Sequence, residues 1–315
     1  MNTSELQKLA EHARSMRESG AALLLASGIL AVFFFLSLVK DAPPPAPIEI
    51  TIPPTVNAFT DVDLEAKAAV VYDFATGETL YAKNADAQLP LASLTKLLTV
   101  YAALSKLSPD TPITVPASAV SVEGARTFNV GQIFSLADLA RLTLTASLND
   151  GAVAIASATA ERENRSQNEM LAGAAAALNL SQTYAVNGSG LDENFAVAGG
   201  YGSAYDVARL VGALVNKAPS IAAATTFDSA EAISAGGTSI SVKNTDPIAG
   251  SIPHLLLSKT GYTDLAGGNL ALVFDAGIGH PIAVVVLGSS LKERFTDGIA
   301  LVASTLAHFA GVASL

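Results

Sequence analysis

Residues 21–39, AALLLASGILAVFFFLSLV, carry no charge. About 20 apolar residues cross a bilayer as a helix. A helix apolar on every side needs lipid or a very large core. Lys8, Arg14 and Arg17 precede the stretch, whereas Lys40 is the only basic residue after it before Lys67. That bias predicts an N-terminus in the cytoplasm and the remainder of the chain outside. A cleaved signal peptide has a shorter apolar region, about 7–15 residues, ending in a small-x-small site. Leu38-Val39-Lys40 is a poor site of that kind. The stretch therefore reads as an uncleaved signal anchor in the lipid bilayer of the cell membrane.

A proline-rich stretch separates this anchor from the rest of the chain. Pro43, Pro44, Pro45, Pro47, Pro53 and Pro54 fall within residues 40–66, which predicts an extended, polyproline-like linker. Fully extended, it would reach about 80 Å at about 3.1 Å per residue. The expected organisation is a cytoplasmic segment 1–20, a transmembrane anchor 21–39, a linker 40–66 and a globular domain 67–315.

Half of the residues are hydrophobic, so that domain can bury a sizeable core. The net charge is −10 and no Lys/Arg-rich run occurs beyond residue 40, which argues against nucleic acid as a partner. There is no cysteine, which rules out disulfides, thiolate metal sites and a cysteine nucleophile.

Within the domain, Ala68–Asp73 and Glu78–Ala82 flank a turn at Gly77 and read as a β-hairpin. A helix is expected over about 93–107, broken off by Pro109, Pro112 and Pro116. Ser135 has the Ser-x-x-acid form of a helix start. Alanine-rich helices are expected at about 150–162 and 167–179, and another from Ser203 to about Lys217. Beyond Gly236 the pattern changes to short β-rich runs: 238–242, 255–259, 268–274 and 281–287. A last helix spans about 294–309. This order predicts an α+β fold, with an all-helical subdomain inserted between the first and last strands of an antiparallel sheet.

Ser93 and Lys96 open the helix at 93–107. Positions i and i+3 share a helix face, so a hydroxyl and an amine would stand side by side. Ser-x-x-Lys alone is a weak signal, since Ser37 and Lys40 also match it. Two further elements single out Ser93: Ser147-Leu148-Asn149, and Lys259-Thr260-Gly261. Each has a bland reading by itself: a helix cap for Ser93 or Ser147, a strand end with a turn for Lys259. A second Ser-x-Asn, Ser166-Gln167-Asn168, precedes Glu169 and fits a capping box better. His12, His254, His280 and His308 form no Ser-His-Asp order or metal spacing. Asp61, Asp63 and Glu65 read as a solvated acidic run.

Together and in this order, the three elements are those shared by penicillin-binding proteins and serine β-lactamases. The stretch Gln88–Thr99 resembles the nucleophile segment of the serine D-Ala-D-Ala carboxypeptidases, the low-molecular-mass penicillin-binding proteins. Residues 147–152, 187–192, 201–206 and 259–270 resemble that family's later segments. The likeness covers about residues 67–311 and stops where the family's usual C-terminal β-domain would begin. Leu148 stands where the family normally has a small residue, which bears on pocket width near Asn149.

The resemblance implies a β-lactamase/transpeptidase-like fold and a serine peptidase with no metal or cofactor. Its substrate would be a peptidoglycan stem peptide ending in D-Ala-D-Ala, with β-lactam antibiotics as covalent inhibitors. Ser93 would attack the carbonyl between the two D-alanines and form an acyl-enzyme. Lys96 would take its proton, its pKa lowered by burial and by the neighbouring cation Lys259. Ser147 would relay the proton to the leaving amine, and Asn149 would hold the peptide amide and Lys96. The backbone N–H groups of Ser93 and Tyr262 would form the oxyanion hole. Gly261 would let the strand approach closely, and Thr260 with Arg294 would bind the terminal carboxylate. The rival expectations are an endopeptidase cutting D-Ala cross-links, a β-lactamase, and a sensor domain that is acylated without turnover.

Overall fold

A computed structural model describes residues 2–38 and 57–311. Residues 40–56 of the expected linker lie outside the described residues, as does position 39 of the expected anchor. The chain divides into two compact units, Met1–Pro53 and Pro54–Leu315. In the first, α1 (Thr3–Leu38) is one uninterrupted helix. It is long and apolar enough to cross a membrane, and its apolar side chains up to Leu36 are exposed.

The described end of the expected linker, residues 57–66, is already packed on the second unit. Phe59, Leu64 and Ala66 are buried there, and the Glu65 and Ala66 N–H groups are bonded to Asp297. The expected hairpin follows as β1 (Ala68–Asp73) and β2 (Thr79–Lys83). A short β3 (Leu89–Pro90) leads to a 3-10 turn at Ala92–Leu94 and then to α2 (Thr95–Lys106). After it come β4 (Pro112–Thr114), α3 (Ala117–Val120) and β5 (Ile133–Ser135). The helical block continues with α4 (Leu136–Ala146), α5 (Asn149–Glu163) and α6 (Gln167–Ala177). Next are β6 (Tyr184–Ala185), β7 (Gly200–Gly202), α7 (Ala204–Lys217) and α8 (Pro219–Ala224). A hairpin of β8 (Ser229–Ile233) and β9 (Ser239–Lys243) precedes three long strands. These are β10 (Leu255–Thr263), β11 (Gly267–Asp275) and β12 (Pro281–Ser289), and α9 (Glu293–Phe309) closes the fold.

The main sheet has the order β10-β11-β12-β1-β2, antiparallel throughout. The first and last strands of the domain are thus neighbours, with the helices inserted between β2 and β10. Antiparallel sheets often keep one face in water and then alternate apolar with polar residues. Here β11 and β12 are nearly continuous apolar runs because both faces are covered. Val70, Leu257, Val273 and Val285 join a core with the helical block. Their neighbours Val71, Leu272, Phe274 and Val284 join a second core with Leu301 and Val302 of α9.

Local signals set the helix ends. Ser135 and Ser203 accept hydrogen bonds from the backbone of Asp138 and Asp206 as N-caps. Ser166 and Glu169 form a complete capping box, which removes the Ser166 decoy from the chemistry. Ser147 caps no helix start. It ends α4 in the left-handed conformation at φ 58°.

Candidate active site

The sheet's free edge carries the site. β10 is an edge strand, and the 3-10 turn bearing Ser93 packs against it. A Cβ on Gly261 would lie 3.0 Å from the Leu91 carbonyl and 3.3 Å from the Ser93 nitrogen. A side chain there would push the strand away from the nucleophile. The turn is itself unusual, since Ala92 has φ 47°, a region costly for a residue with a Cβ. Its carbonyl sits against Gly190, where a Cβ would come within 1.9 Å. The backbone at Ala92 is therefore held from outside the turn, as strained functional positions usually are.

Two lysine–hydroxyl pairs meet here. The Lys96 Nζ donates to Ser93 Oγ at 2.7 Å and to the Ser189 carbonyl at 2.7 Å. The Lys259 Nζ donates to Ser147 Oγ at 2.9 Å and to the Thr260 carbonyl at 2.8 Å. Both lysines are buried, at 0% and 1% exposure. Among the described residues no hydrogen bond joins one pair to the other. They face a common cavity of about 290 Å³, lined by Ser93, Ser147, Asn149, Thr260, Tyr262 and Arg294 among others.

Burial sets the electrostatics. Lys96 falls to about 7, chiefly because the dry site disfavours the ammonium, with Asp150 opposing. Lys259 is held well below the ordinary lysine range by burial, then by the charges of Lys96 and Arg294. Desolvation is the leading cause for Lys96, and the repulsion between the two like charges, which is mutual, adds to the lowering of Lys259.

Arg294 is not the solvated residue that a helix start suggests. It is 7% exposed, and its Nη1 donates to the Gly261 carbonyl at 2.6 Å. Its Nε is buried with no hydrogen-bond partner. Thr260 shares a hydrogen bond of 2.6 Å with Thr245, which also lines the cavity. With Thr260, Thr245 and Arg294 at one end, the cavity offers two hydroxyls and a cation to an anion.

Asn149 departs from the expected role. Its Nδ2 donates to the Glu123 carbonyl at 2.8 Å rather than holding Lys96. Its backbone N–H donates to Ala125 at 2.8 Å. The next residue, Asp150, accepts from the backbone of Thr127 and Phe128 at 2.7 and 2.8 Å. The loop 123–128 is thus stitched to the start of α5 and walls the cavity with Gly124 and Ala125. Leu148 does not line the cavity. It is buried in the helical core, so it does not narrow the site.

Three groups lay outside the sequence-based set of site residues: Ser189, Thr245 and Asp150. A signal for the first was present, because Ser189 lies between two glycines. A Cβ on Gly188 would meet Ala156 at 2.7 Å, and the Asn187 side chain accepts the N–H groups of Ser189 and Gly190. That fixed turn aims the Ser189 carbonyl at Lys96. Thr245 and Asp150 carried no local signal.

A protein family described as D-alanyl-D-alanine carboxypeptidase matches residues 55–290. The chain is 30% identical over 285 residues to the D-alanyl-D-alanine carboxypeptidase DacD of Salmonella typhimurium, covering 86% of this chain and 67% of that one. It is also 30% identical to a D-alanyl-D-alanine endopeptidase of Pseudomonas aeruginosa, over 79% of this chain and 80% of that one. The chain spans about two thirds or less of the length of the carboxypeptidase relatives it matches. Its fold is similar to that of Penicillin-Binding Protein D2 from Listeria monocytogenes, solved with ampicillin bound. The TM-score is 0.66 at 27% identity, over 78% of this chain and 98% of that one.

Proposed function

The chain belongs to the D-alanyl-D-alanine carboxypeptidase family, and on that premise we propose that it removes the terminal D-alanine from peptidoglycan stem peptides through an acyl-enzyme on Ser93. The observation that carries this reading is the buried Ser93–Lys96 pair. A lysine with a pKa near 7 is in part neutral at physiological pH and within 2.7 Å of the hydroxyl it would deprotonate. Attack by the Ser93 Oγ forms the C–O bond, and its proton passes to the Lys96 Nζ. Collapse of the tetrahedral intermediate breaks the C–N bond. The departing amine takes up the proton that Lys96 received, relayed by way of Ser147, which Lys259 holds in place.

The remaining residues bind. The N–H groups of Ser93 and Tyr262 hold the oxyanion, consistent with the close approach at Gly261. Thr260, Thr245 and Arg294 take the terminal carboxylate. Asn149 serves as a wall of the cavity and takes up the peptide amide only if it leaves Glu123. Lys96, neutral again once its proton has left with the amine, takes a proton from water as the water attacks the acyl carbonyl. The C–O bond to Ser93 then breaks, and that proton returns to the Ser93 Oγ. Among the described residues, no Asp or Glu lines the cavity, so the reading supplies no carboxylate-activated water of the kind a fast β-lactamase uses. β-Lactams enter as slow substrates that leave Ser93 acylated, and the ampicillin-bound structure of the Listeria protein supports this.

Endopeptidase action on D-Ala cross-links is the second reading, favoured by the similarity to the Pseudomonas endopeptidase. Both use the same groups on amines of different bulk. Incubation with a stem pentapeptide and with a cross-linked dimer separates them. Free D-alanine from the pentapeptide supports the carboxypeptidase reading. Cleavage of the dimer alone supports the endopeptidase, and rapid hydrolysis of penicillin contradicts both. We also read α1 as a retained anchor, with its basic N-terminal flank in the cytoplasm and the catalytic domain on the cell-wall side.

A further inference from the structure

We propose that the turn from Leu191 to Val197 is a subsite for the acyl-side peptide of the substrate, with Phe195 as its contact surface. The proposal rests on the carboxypeptidase reading above. Phe195 is 94% exposed. Single exposed apolar residues are common on protein surfaces and need no explanation by themselves. This one differs in how it is held. The Glu193 N–H donates to the Val197 carbonyl at 2.8 Å, and Asn194 Oδ1 accepts from Ala196 and Val197 at 2.9 and 3.1 Å. Asn187 donates to the Leu191 carbonyl at 2.9 Å and to Glu193 at 2.6 Å. The ring is therefore presented on a closed turn, which leaves little backbone entropy to lose on binding.

The turn is also fastened to the catalytic strand. Asp192 accepts from the Thr263 hydroxyl at 3.0 Å and from the Leu265 N–H at 3.3 Å. Leu191, at its root, lines the cavity beside Tyr262 and Thr263. These contacts set the path of a bound peptide. Its carboxylate lies at Thr260 and Arg294, and its scissile carbonyl lies at the N–H groups of Ser93 and Tyr262. The remaining chain must leave past Thr263, antiparallel to the free edge of β10, at about 3.4 Å per residue. That path leads to the Asp192-anchored turn. Phe195 would cover aliphatic side-chain surface of the residue before the D-Ala pair and of those preceding it.

The test compares two substrates on wild type, Phe195→Ala and Phe195→Leu. Acetyl-D-Ala-D-Ala ends before the subsite, and a full stem pentapeptide extends across it. The expected result for Phe195→Ala is a kcat/KM about five- to tenfold lower on the pentapeptide. Acetyl-D-Ala-D-Ala turnover and fluorescent penicillin labelling should be unchanged, and Phe195→Leu should recover part of the loss. An equal loss on both substrates, or no loss on the pentapeptide, overturns the subsite while unchanged penicillin labelling leaves the acyl-enzyme reading standing. If wild type labels with penicillin but releases no D-alanine from either substrate, the carboxypeptidase reading falls, and the subsite falls with it.

Discussion

A lysine in water keeps its proton far above pH 7, so Lys96 can be neutral near pH 7 only because it is dry. Its pKa of about 7, against 10.5 in the unfolded chain, makes two predictions. Acylation by a β-lactam should rise with pH through an apparent pKa near 7, as the neutral amine forms. Stopped-flow labelling from pH 5 to 9 measures this, and a flat profile would contradict it. The same shift couples to stability. Below about pH 7 both folded and unfolded states hold the proton, and folding carries the full cost of burying the ammonium. Between about 7 and 10.5 only the unfolded state holds it, so stability rises with pH, by up to about 1.4 kcal/mol per unit from this group. Lys96→Met should therefore stabilise the protein most at acid pH. The advantage should shrink toward pH 10 in paired denaturant melts.

Asp150 works on the same lysine from the other side. Its buried carboxylate favours the Lys96 ammonium and accepts two N–H bonds from the loop at 127–128. Asp150→Asn should move the acylation pH profile to lower pH. A loss of rate without that shift would mean that Asp150 only holds the loop.

At the scale of elements, the site depends on close approach between the Ser93 turn, β10 and the glycine-bearing turn 187–190. Gly190 has φ 76°, and a Cβ there would collide with the Ala92 carbonyl. Gly190→Ala should cost about 1–3 kcal/mol in backbone strain alone, with the added clash felt at Ser93. Penicillin labelling should fall at least tenfold in protein that remains folded by circular dichroism. Retained labelling would mean that the Ala92 conformation is not needed.

Elements whose signals are local were legible in the sequence. The 68–83 hairpin, the Ser135, Ser166 and Ser203 caps, the long strands and the last helix all carry their cues within a few residues. The i, i+3 spacing of Ser93 and Lys96 was legible for the same reason. β8 was not, because Ser229–Ile233 is set by its pairing with β9 rather than by its own pattern. The positive φ of Ala92 is accommodated by the missing side chain of Gly190, almost a hundred residues away in the chain. The bond between Asn149 and Glu123 depends on how the 123–128 loop packs. Thr245 reaches Thr260 only through the fold, and Arg294 looks solvated until the sheet buries it.

For the whole molecule, the division after Pro53 separates the apolar helix from the catalytic unit. Removal of residues 1–38 should leave labelling rate and melting temperature unchanged while moving the protein from the membrane to the soluble fraction. Loss of labelling on that truncation would tie α1 to the site. Within the catalytic unit, the sheet covered on both faces provides a rigid edge, and the inserted helices bring Lys96, Ser147 and Asp150 to it. We propose that this assembly makes Ser93 a nucleophile. Incubation with fluorescent penicillin, then mass spectrometry of the acylated peptide, tests it most directly. The adduct should map to Ser93, with labelling abolished in Ser93→Ala. An adduct elsewhere, or undiminished labelling of Ser93→Ala, would contradict it.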